Sequence, residues 1–200
     1  GGNFMSHPAL GTAQRGLFLF IIIIFYPIGI HSQWQTEVRL TNDPNASLTS
    51  SQSVASNESN VHVVWFDYRN GGPDNIEIYY KTSTDDGKSW GKDIRLTNSP
   101  GISTNPSISV FGSFVHVVWY DTRDGNLEIY YKRSTDDGIN WSNDTRLTYD
   151  SAISYFPSIF ASGHFIHVVW MDNRDTNEQV YYKRSTDNGL SWEADTRLTH

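Results

Sequence analysis

The feature that most constrains this 200-residue chain is an eight-residue phrase that it repeats three times. Each copy has the sequence Ser-Thr-Asp-(Asp/Asn)-Gly-x-x-Trp, where x is variable. The closing residues Trp90, Trp141 and Trp192 lie 51 residues apart. A His-Val-Val-Trp segment and an Arg-Leu-Thr segment recur with a similar spacing. A period near 50 residues predicts a repeat architecture.

The pattern inside one period predicts four short strands and an all-β chain. In the middle repeat these strands cover residues 106–111, 114–120, 126–134 and 144–148. Each is rich in β-branched and aromatic residues and is bounded by Gly, Asn, Asp or Pro, as strands and hairpins usually are. After residue 33 no stretch has helical periodicity over three turns, which excludes a helical repeat.

Four antiparallel strands in each repeat of about 50 residues predict the blades of a β-propeller. The predicted blades cover about residues 42–98, 99–149 and 150–200, within a repeat region of 33–200. The second strand is apolar on both faces, as expected for a sheet packed between two others. A two-layer sandwich is the alternative.

The number of repeats is smaller than a closed propeller needs. Three repeats and a leading strand at about 36–41 fall short of the four to eight blades that are typical. Either the chain is part of a longer protein, or it self-associates to complete the propeller.

The N-terminal region differs from the repeats and predicts export. Residues 17–30 are an apolar run that follows Arg15, shorter than the about 20 residues that a membrane span needs. Residues 1–32 are therefore expected to be a signal peptide, with an uncleaved hydrophobic anchor or a buried strand as alternatives. The expected location is secreted or at the cell surface.

Charge and cysteine content exclude several classes of function. The formal net charge is −7, whereas nucleic-acid binders carry clustered basic residues, so a nucleic-acid partner is not expected. The chain has no cysteine, which excludes disulfides and thiolate metal sites. We expect no metal site and no cofactor.

The repeated phrase resembles the Asp-box of the bacterial neuraminidase repeat (BNR) family, over about residues 39–200. The resemblance implies a sialidase-like β-propeller, with each box in the hairpin between the third and fourth strands. Its Asp can accept turn N–H groups, its Gly permits a positive φ, its Ser closes the turn and its Trp packs on the sheet. We expect a structural role, with calcium or ligand binding as the alternative. The box positions are Ser83, Asp85, Gly87, Trp90, Ser134, Asp136, Gly138, Trp141, Ser185, Asp187, Gly189 and Trp192.

The family includes exo-sialidases, and the resemblance implies that such an enzyme would use an arginine triad, a Tyr nucleophile paired with a Glu, and an Asp general acid/base. A catalytic site occurs once, so its residues should depart from the repeat, but here the candidates recur in phase and the third repeat has Gln179 where the others have Glu. The Arg-Ile-Pro motif of sialidases is missing, and we assign no catalytic residue. The in-phase candidates are Arg39, Arg95, Arg146, Arg197, Tyr79, Tyr130, Tyr181, Glu77 and Glu128.

An Asp-x-Arg motif follows the second strand of every repeat and is the candidate ligand-binding face. In a propeller these turns lie opposite the Asp-box hairpins, on the face where sialidase-like propellers bind substrate. Arg suits bidentate capture of a carboxylate, but each Arg could instead pair with its own Asp and hold the turn. The candidates are Asp67, Arg69, Asp121, Arg123, Asp172 and Arg174.

Two further sets of side chains are weaker candidates. The histidines inside the apolar second strands, His62, His116 and His167, are expected to be hydrogen-bonded core residues rather than metal ligands or bases. Aromatic residues that vary between repeats near the candidate face could be sugar-stacking platforms, namely Tyr68, Tyr120, Tyr149, Tyr155 and Phe156.

Together these features predict a scaffold that binds glycans or cell-surface proteins. The alternative is an exo-α-sialidase or related glycoside hydrolase whose catalytic residues lie mostly outside this chain.

Overall fold

A computed structural model describes residues 36–200, which are all-β apart from a 3-10 turn at Gly72–Asp74. The predicted export segment, residues 1–32, lies outside the described residues. The described strands are β1 (Ser47–Leu48), β2 (Val54–Asn57), β3 (Asn60–Asp67), β4 (Asn75–Ser83), β5 (Ile94–Arg95), β6 (Gly101–Phe111), β7 (Phe114–Asp121), β8 (Glu128–Ser134), β9 (Thr145–Arg146), β10 (Ser154–Ser162), β11 (Phe165–Asp175), β12 (Asn177–Ser185) and β13 (Thr196–Arg197).

The second and third sequence repeats each form a four-stranded antiparallel meander, as predicted. The second repeat is β6-β7-β8-β9 and the third is β10-β11-β12-β13. In the first repeat the short strands β1 and β2 both pair with β3, which is followed by β4 and β5. A two-residue parallel pairing of β4 with β6 joins the first two repeats into one nine-stranded sheet, while the third repeat is a separate sheet. The sheets of the described residues do not close into a ring.

Two differences from the predicted strands exceed two residues. Strand β6 begins at Gly101 rather than at Pro106, because a bulge between Thr104 and Ser107 accommodates the proline, which has no N–H to donate. The leading strand expected at residues 36–41 is not a strand. Its end nevertheless contacts the first repeat, since Lys81 Nζ donates to the carbonyl of Leu40 at 2.5 Å.

The burial of the second strands shows how the repeats are stacked. In β7 the side chains from Val115 to Trp119 are buried on both faces of the sheet. In β3 and β11 the buried residues alternate with partly exposed ones. The second repeat is therefore packed between the first and the third, in agreement with its two-sided apolar sequence.

Two apolar clusters fill the spaces between the repeats. In each cluster, the trailing face of one repeat packs on the leading face of the repeat that follows it in the sequence. Burying an aliphatic side chain stabilises the fold by about 2 kcal/mol, so these contacts hold the repeats together. The trailing faces contribute Val64, Ile78, Tyr80 and Leu96 in the first repeat and Val118, Ile129, Tyr131 and Leu147 in the second; the leading faces contribute Val115, Val117, Trp119 and Tyr130 in the second repeat and Ile166, Val168, Trp170 and Tyr181 in the third.

Residues 36–200 contain no helix with the length and apolar character that a membrane crossing requires. The same residues hold no cluster of three or more His, Asp or Glu side chains suited to a metal ion.

Candidate functional site

The Asp-box carboxylates are used inside their own hairpins. In the first box, Asp85 Oδ1 accepts from Ser83 Oγ at 2.8 Å and from the Ser89 N–H at 2.8 Å, while Gly87 donates to Ser83 Oγ at 2.9 Å. The hydrogen bonds from Ser89 lower the pKa of Asp85 to about 2. The second and third boxes repeat this arrangement around Asp136 and Asp187. These contacts are those of a turn-forming box.

Each of the last two boxes also packs on a tyrosine of the preceding repeat. Trp141 meets the Tyr80 ring edge-on with centroids 5.0 Å apart, and Trp192 meets Tyr131 in the same way. Gly138 lies so close beneath Tyr80 that a Cβ there would be 2.0 Å from the tyrosine hydroxyl oxygen. The box therefore joins one repeat to the one before it.

The strand histidines contact the same tyrosine hydroxyls. His62 Nδ1 lies 2.5 Å from the Tyr80 hydroxyl oxygen, and His116 Nδ1 lies 2.7 Å from that of Tyr131. Burial, with a smaller contribution from the nearby Arg133, lowers the pKa of His116 to about 4. His167 and Tyr182 form the third pair at 2.8 Å. The histidines are hydrogen-bonded packing residues, as the sequence predicts.

The Asp-x-Arg motifs form one repeated structure, the Asp-Arg clamp. Asp121 is buried, and its carboxylate accepts from Ser103 Oγ at 2.7 Å, Trp119 Nε1 at 3.0 Å, and both the backbone and the guanidinium of Arg123. Burial alone would raise the pKa of this carboxyl, but these hydrogen bonds outweigh it and lower the pKa. Asp67 and Asp172 have the equivalent partners, and the pKa of each is lowered to about 2.

The arginine of each clamp is also bound by a second carboxylate. Arg123 Nη1 donates to Asp144 Oδ2 at 2.7 Å, and the guanidinium lies 4.3 Å from the centre of the Tyr130 ring. Arg69 and Arg174 make the same contacts with the corresponding residues, Asp93, Tyr79, Asp195 and Tyr181. Each arginine thus pairs with its own Asp and holds its turn, which is the alternative that the sequence left open. Ligand contact by these six residues stays a prediction.

The glutamate and tyrosine candidates for a nucleophile pair are hydrogen-bonded to other residues. The buried Glu128 accepts from Arg146 Nη2 at 2.6 Å and from Thr148 Oγ1 at 2.5 Å. The Tyr130 hydroxyl donates to Asp124 instead. The first and third repeats likewise bind Tyr79 to Asn70 and Tyr181 to Asp175. No described repeat has a hydrogen bond from the tyrosine to the glutamate position.

A cavity of about 320 Å³ opens where the first strands of the three repeats converge. It lies toward the clamp end of the sheets, because its lining residues 105–107 are at the bulge opposite residues 118–120 of β7, while the box residue Ser134 pairs with Val115 near the start of β7. Its lining residues are Ser50, Ser51, Gln52, Asn105, Pro106, Ser107, Phe156, Pro157 and Ser158. We call this the convergence pocket.

Gln52 connects all three repeats at the convergence pocket. Its Nε2 donates to the Ile159 carbonyl at 2.9 Å, and its Oε1 accepts from Ser107 Oγ at 2.8 Å and Ser158 Oγ at 2.7 Å. Gln52 belongs to none of the repeated motifs. The signal that could have found it was a departure from the repeat, since the first repeat has Gln52 where the other two have Pro106 and Pro157.

Three of the five aromatic candidates meet beside the pocket. Phe156 is 54% exposed and lies next to Tyr155, with ring centroids 4.8 Å apart, and edge-on to Tyr120 at 6.1 Å. Asn105 Nδ2 donates to the Tyr120 hydroxyl at 3.3 Å. Tyr149 lies elsewhere, against Arg146, and Tyr68 lies beside Phe66. The pocket therefore has an aromatic rim and hydroxyl and amide walls, with no ionisable side chain among its lining residues.

The model of the family described as BNR repeat-like domain matches residues 21–200 of this chain. A comparison with curated proteins finds no match.

Solved structures of carbohydrate-active enzymes share the fold at low sequence identity. The α-L-arabinanase of Penicillium chrysogenum, in complex with arabinobiose, is 16% identical with a TM-score of 0.56, and the match covers 76% of this chain and 49% of that one. A family 117 glycoside hydrolase of Zobellia galactanivorans is 11% identical with a TM-score of 0.51, covering 74% and 59%. The family 93 α-L-arabinofuranosidase of Fusarium graminearum is 16% identical with a TM-score of 0.53, covering 76% and 49%. The chain spans about half to three-fifths of the length of these proteins.

Proposed function

We propose, from the premise that this chain belongs to the BNR repeat-like domain family, that its three repeats are blades of a sialidase-like β-propeller that binds neutral carbohydrate without cleaving it. The radial arrangement is supported by the order of stacking, in which the second repeat is buried on both faces. It is also supported by Gln52, which contacts the first strands of both other repeats. First strands that converge on one axis are what blades of a propeller have in common.

The observation that carries the carbohydrate proposal is the chemistry of the convergence pocket. Its serines and amides offer paired donors and acceptors of the kind that bind sugar hydroxyls, and Phe156 offers an exposed ring face. No carboxylate or guanidinium lines it. The net charge of −7 also repels anions at long range. A neutral sugar therefore suits this site better than a sialic acid.

The absence of a carboxylate among the residues that line the pocket supports binding without hydrolysis. Most glycosidases place two carboxyl groups on opposite sides of the scissile bond. Among the described residues, two carboxylates of the repeated motifs, Asp121 and Glu128, are buried and engaged by arginine, serine and threonine donors. The alternative function, an exo-sialidase or related glycoside hydrolase, would have to take its catalytic groups from elsewhere.

We further propose that the protein is exported and acts at the cell surface or outside the cell. The support is the 14-residue apolar run of residues 17–30, which follows a basic residue. N-terminal sequencing of the protein recovered from the medium or the membrane fraction tests this, and an intact N-terminus in the cytosol would contradict it.

The binding proposal is tested by calorimetric titration with neutral disaccharides, including arabinobiose, and with sialyllactose as the anionic comparison. We expect a neutral sugar to bind. Binding should be about tenfold weaker in Phe156→Ala, because the pocket loses the aromatic ring on which the sugar would stack. Phe160→Ala is the matched control, since Phe160 is 61% exposed but does not line the pocket. Equal affinity in both variants would contradict the proposed site, and release of a monosaccharide by the wild type would favour the hydrolase.

A further inference from the structure

The residue that follows the arginine of each Asp-Arg clamp differs in the first repeat. It is Asp124 in the second repeat and Asp175 in the third, but Asn70 in the first. In the third repeat the carboxylate of Asp175 accepts from the Tyr181 hydroxyl and lies 3.3 Å from Arg197 Nη1. The second repeat has the same arrangement, with 3.2 Å between its carboxylate and its arginine. We call this arrangement the Tyr-Asp-Arg cluster.

The first repeat has the tyrosine and the arginine of this cluster, but an amide in place of the carboxylate. The Tyr79 hydroxyl donates to Asn70 Oδ1 at 2.5 Å. Arg95, the arginine of this repeat, is ion-paired within residues 36–200 with Glu77 alone. An Asp side chain at position 70 would therefore supply the ion pair that the later repeats have at this place.

Asn70 is followed by Gly71, and such a pair can convert its own amide to a carboxylate. The Gly71 nitrogen loses its proton and bonds to Asn70 Cγ, the side-chain nitrogen leaves as ammonia, and a five-membered succinimide ring closes. Water then opens the ring, at Cγ to give Asp or at the main-chain carbonyl to give isoAsp. Glycine favours ring closure because it has no Cβ to hinder the approach of its nitrogen.

The surroundings of Asn70 favour this reaction. Gly71 is exposed and lies in the turn before the 3-10 segment, and its N–H makes no hydrogen bond within residues 36–200. The hydroxyl of Tyr79 donates to the side-chain carbonyl oxygen of Asn70, which stabilises negative charge on that oxygen when Cγ is attacked. The nucleophile is therefore free and the electrophile is activated.

The second Asn-Gly pair of the sequence, Asn188-Gly189, is protected from the same reaction. It lies in the third Asp-box, where Gly189 is buried and its N–H donates to Ser185 Oγ at 2.8 Å. The Asn188 carbonyl accepts from Arg133 Nη1 at 2.6 Å. These contacts must break before the Gly189 nitrogen can attack, so the fold makes two identical dipeptides unequal.

We propose that Asn70 is a modification site, at which spontaneous deamidation gives the first repeat the Tyr-Asp-Arg cluster of the other two. The Asp product accepts the hydrogen bond from Tyr79 and pairs with Arg95. The modification adds one negative charge to the clamp end of the first repeat. Neither the reaction nor the new ion pair requires a ligand in the convergence pocket, so failure to bind sugar leaves this site unaffected.

The test is peptide mapping by mass spectrometry on the 200-residue chain, incubated at mildly alkaline pH in a mild detergent and digested with pepsin after an acid quench. We expect Asn70 to exchange NH for O at least about tenfold faster than Asn188, because a buried hydrogen bond protects only the second pair. In the urea-unfolded chain the two pairs should react at similar rates. An Asn70 that stays intact in the folded chain, or that reacts no faster than Asn188, would overturn the proposal.

The variant Asn70→Asp supplies the product directly and tests the completed cluster. It should unfold at a higher temperature than the freshly purified wild type, because Arg95 and Tyr79 gain a carboxylate partner. Asn143→Asp is the matched control, since it adds the same charge at an exposed position and should leave the melting temperature unchanged. Equal melting temperatures of the two variants would show that no cluster forms at position 70.

Discussion

At the scale of single residues, the repeated polar side chains are committed to internal hydrogen bonds. The carboxylate of Asp121 serves four donors, and Asp136 serves its own hairpin. Such groups are costly to bury unless they are paired. Their recurrence in every repeat therefore follows from packing, and the residues that break the pattern are the better candidates for binding.

Asp121→Asn should destabilise the chain by about 3 kcal/mol. The substitution leaves the Arg123 guanidinium with one carboxylate partner, Asp144, and places an NH2 donor where the carboxylate accepted hydrogen bonds. Urea unfolding measures the loss. Asp86→Asn is the control, since its side chain is 64% exposed, and it should change stability by less than about 0.5 kcal/mol. Equal effects of the two substitutions would show that the clamp is not structural.

The buried histidine gives a pH dependence with a defined sign. Burial lowers the pKa of His116 to about 4 from an ordinary 6.5, so the unfolded state binds the proton first as the pH falls. The contribution of His116 to the free energy of unfolding is complete above pH 6.5. It is lost as the pH falls from 6.5 to 4, which lowers the free energy of unfolding by about 3 kcal/mol. The protonated ring would also place a donor at Nε2, which has no partner.

Unfolding midpoints measured between pH 7 and pH 4 test this, with His116→Gln expected to show a smaller decline. An equal decline in both proteins would contradict it. The clamp carboxylates contribute in a separate window, because the pKa values of Asp67 and Asp172 are about 2. Their stabilisation is present above about pH 4 and is lost as the pH falls toward 2.

At the scale of elements, the Asp-box hairpins of the second and third repeats stabilise the contact with the preceding repeat as well as the turn in their own repeat. Gly138→Ala should destabilise the chain by about 3 kcal/mol, because the methyl would overlap Tyr80 and separate the first two repeats. Gly112→Ala shares the positive φ, at +55°, with nothing within 4 Å, and should cost only about 1 kcal/mol. Thermal unfolding compares the two, and similar melting temperatures would contradict the contact.

Much of the element structure was predictable from the sequence, because strand alternation and turn residues recur in phase. The four strands of the second and third repeats and the hairpin position of the box are confirmed. The bulge at Pro106 was not predicted, since it depends on how β6 pairs with the end of β7. The strand predicted at 36–41 is not formed. The end of this segment is instead bound by Lys81, a residue distant in sequence.

At the scale of the whole molecule, the described residues 36–200 form a stack with two covered interfaces between the repeats. The covered ones could be predicted from the two-sided apolar second strands. The convergence pocket could not, because its lining comes from three segments about 50 residues apart, and Gln52 meets Ser158 only after the repeats stack. Repetition therefore predicts packing well and predicts a binding site only through its exceptions.

The central claim is that repeated residues serve packing while the exceptions at the pocket bind the ligand. It is tested most directly by an NMR titration of the isotopically labelled chain with arabinobiose and with sialyllactose. We predict that the neutral sugar shifts the backbone signals of Gln52, Asn105 and Phe156 and leaves the Nε signals of Arg69, Arg123 and Arg174 unchanged. Shifts of all three arginine signals by sialyllactose, with none at the pocket, would contradict the account.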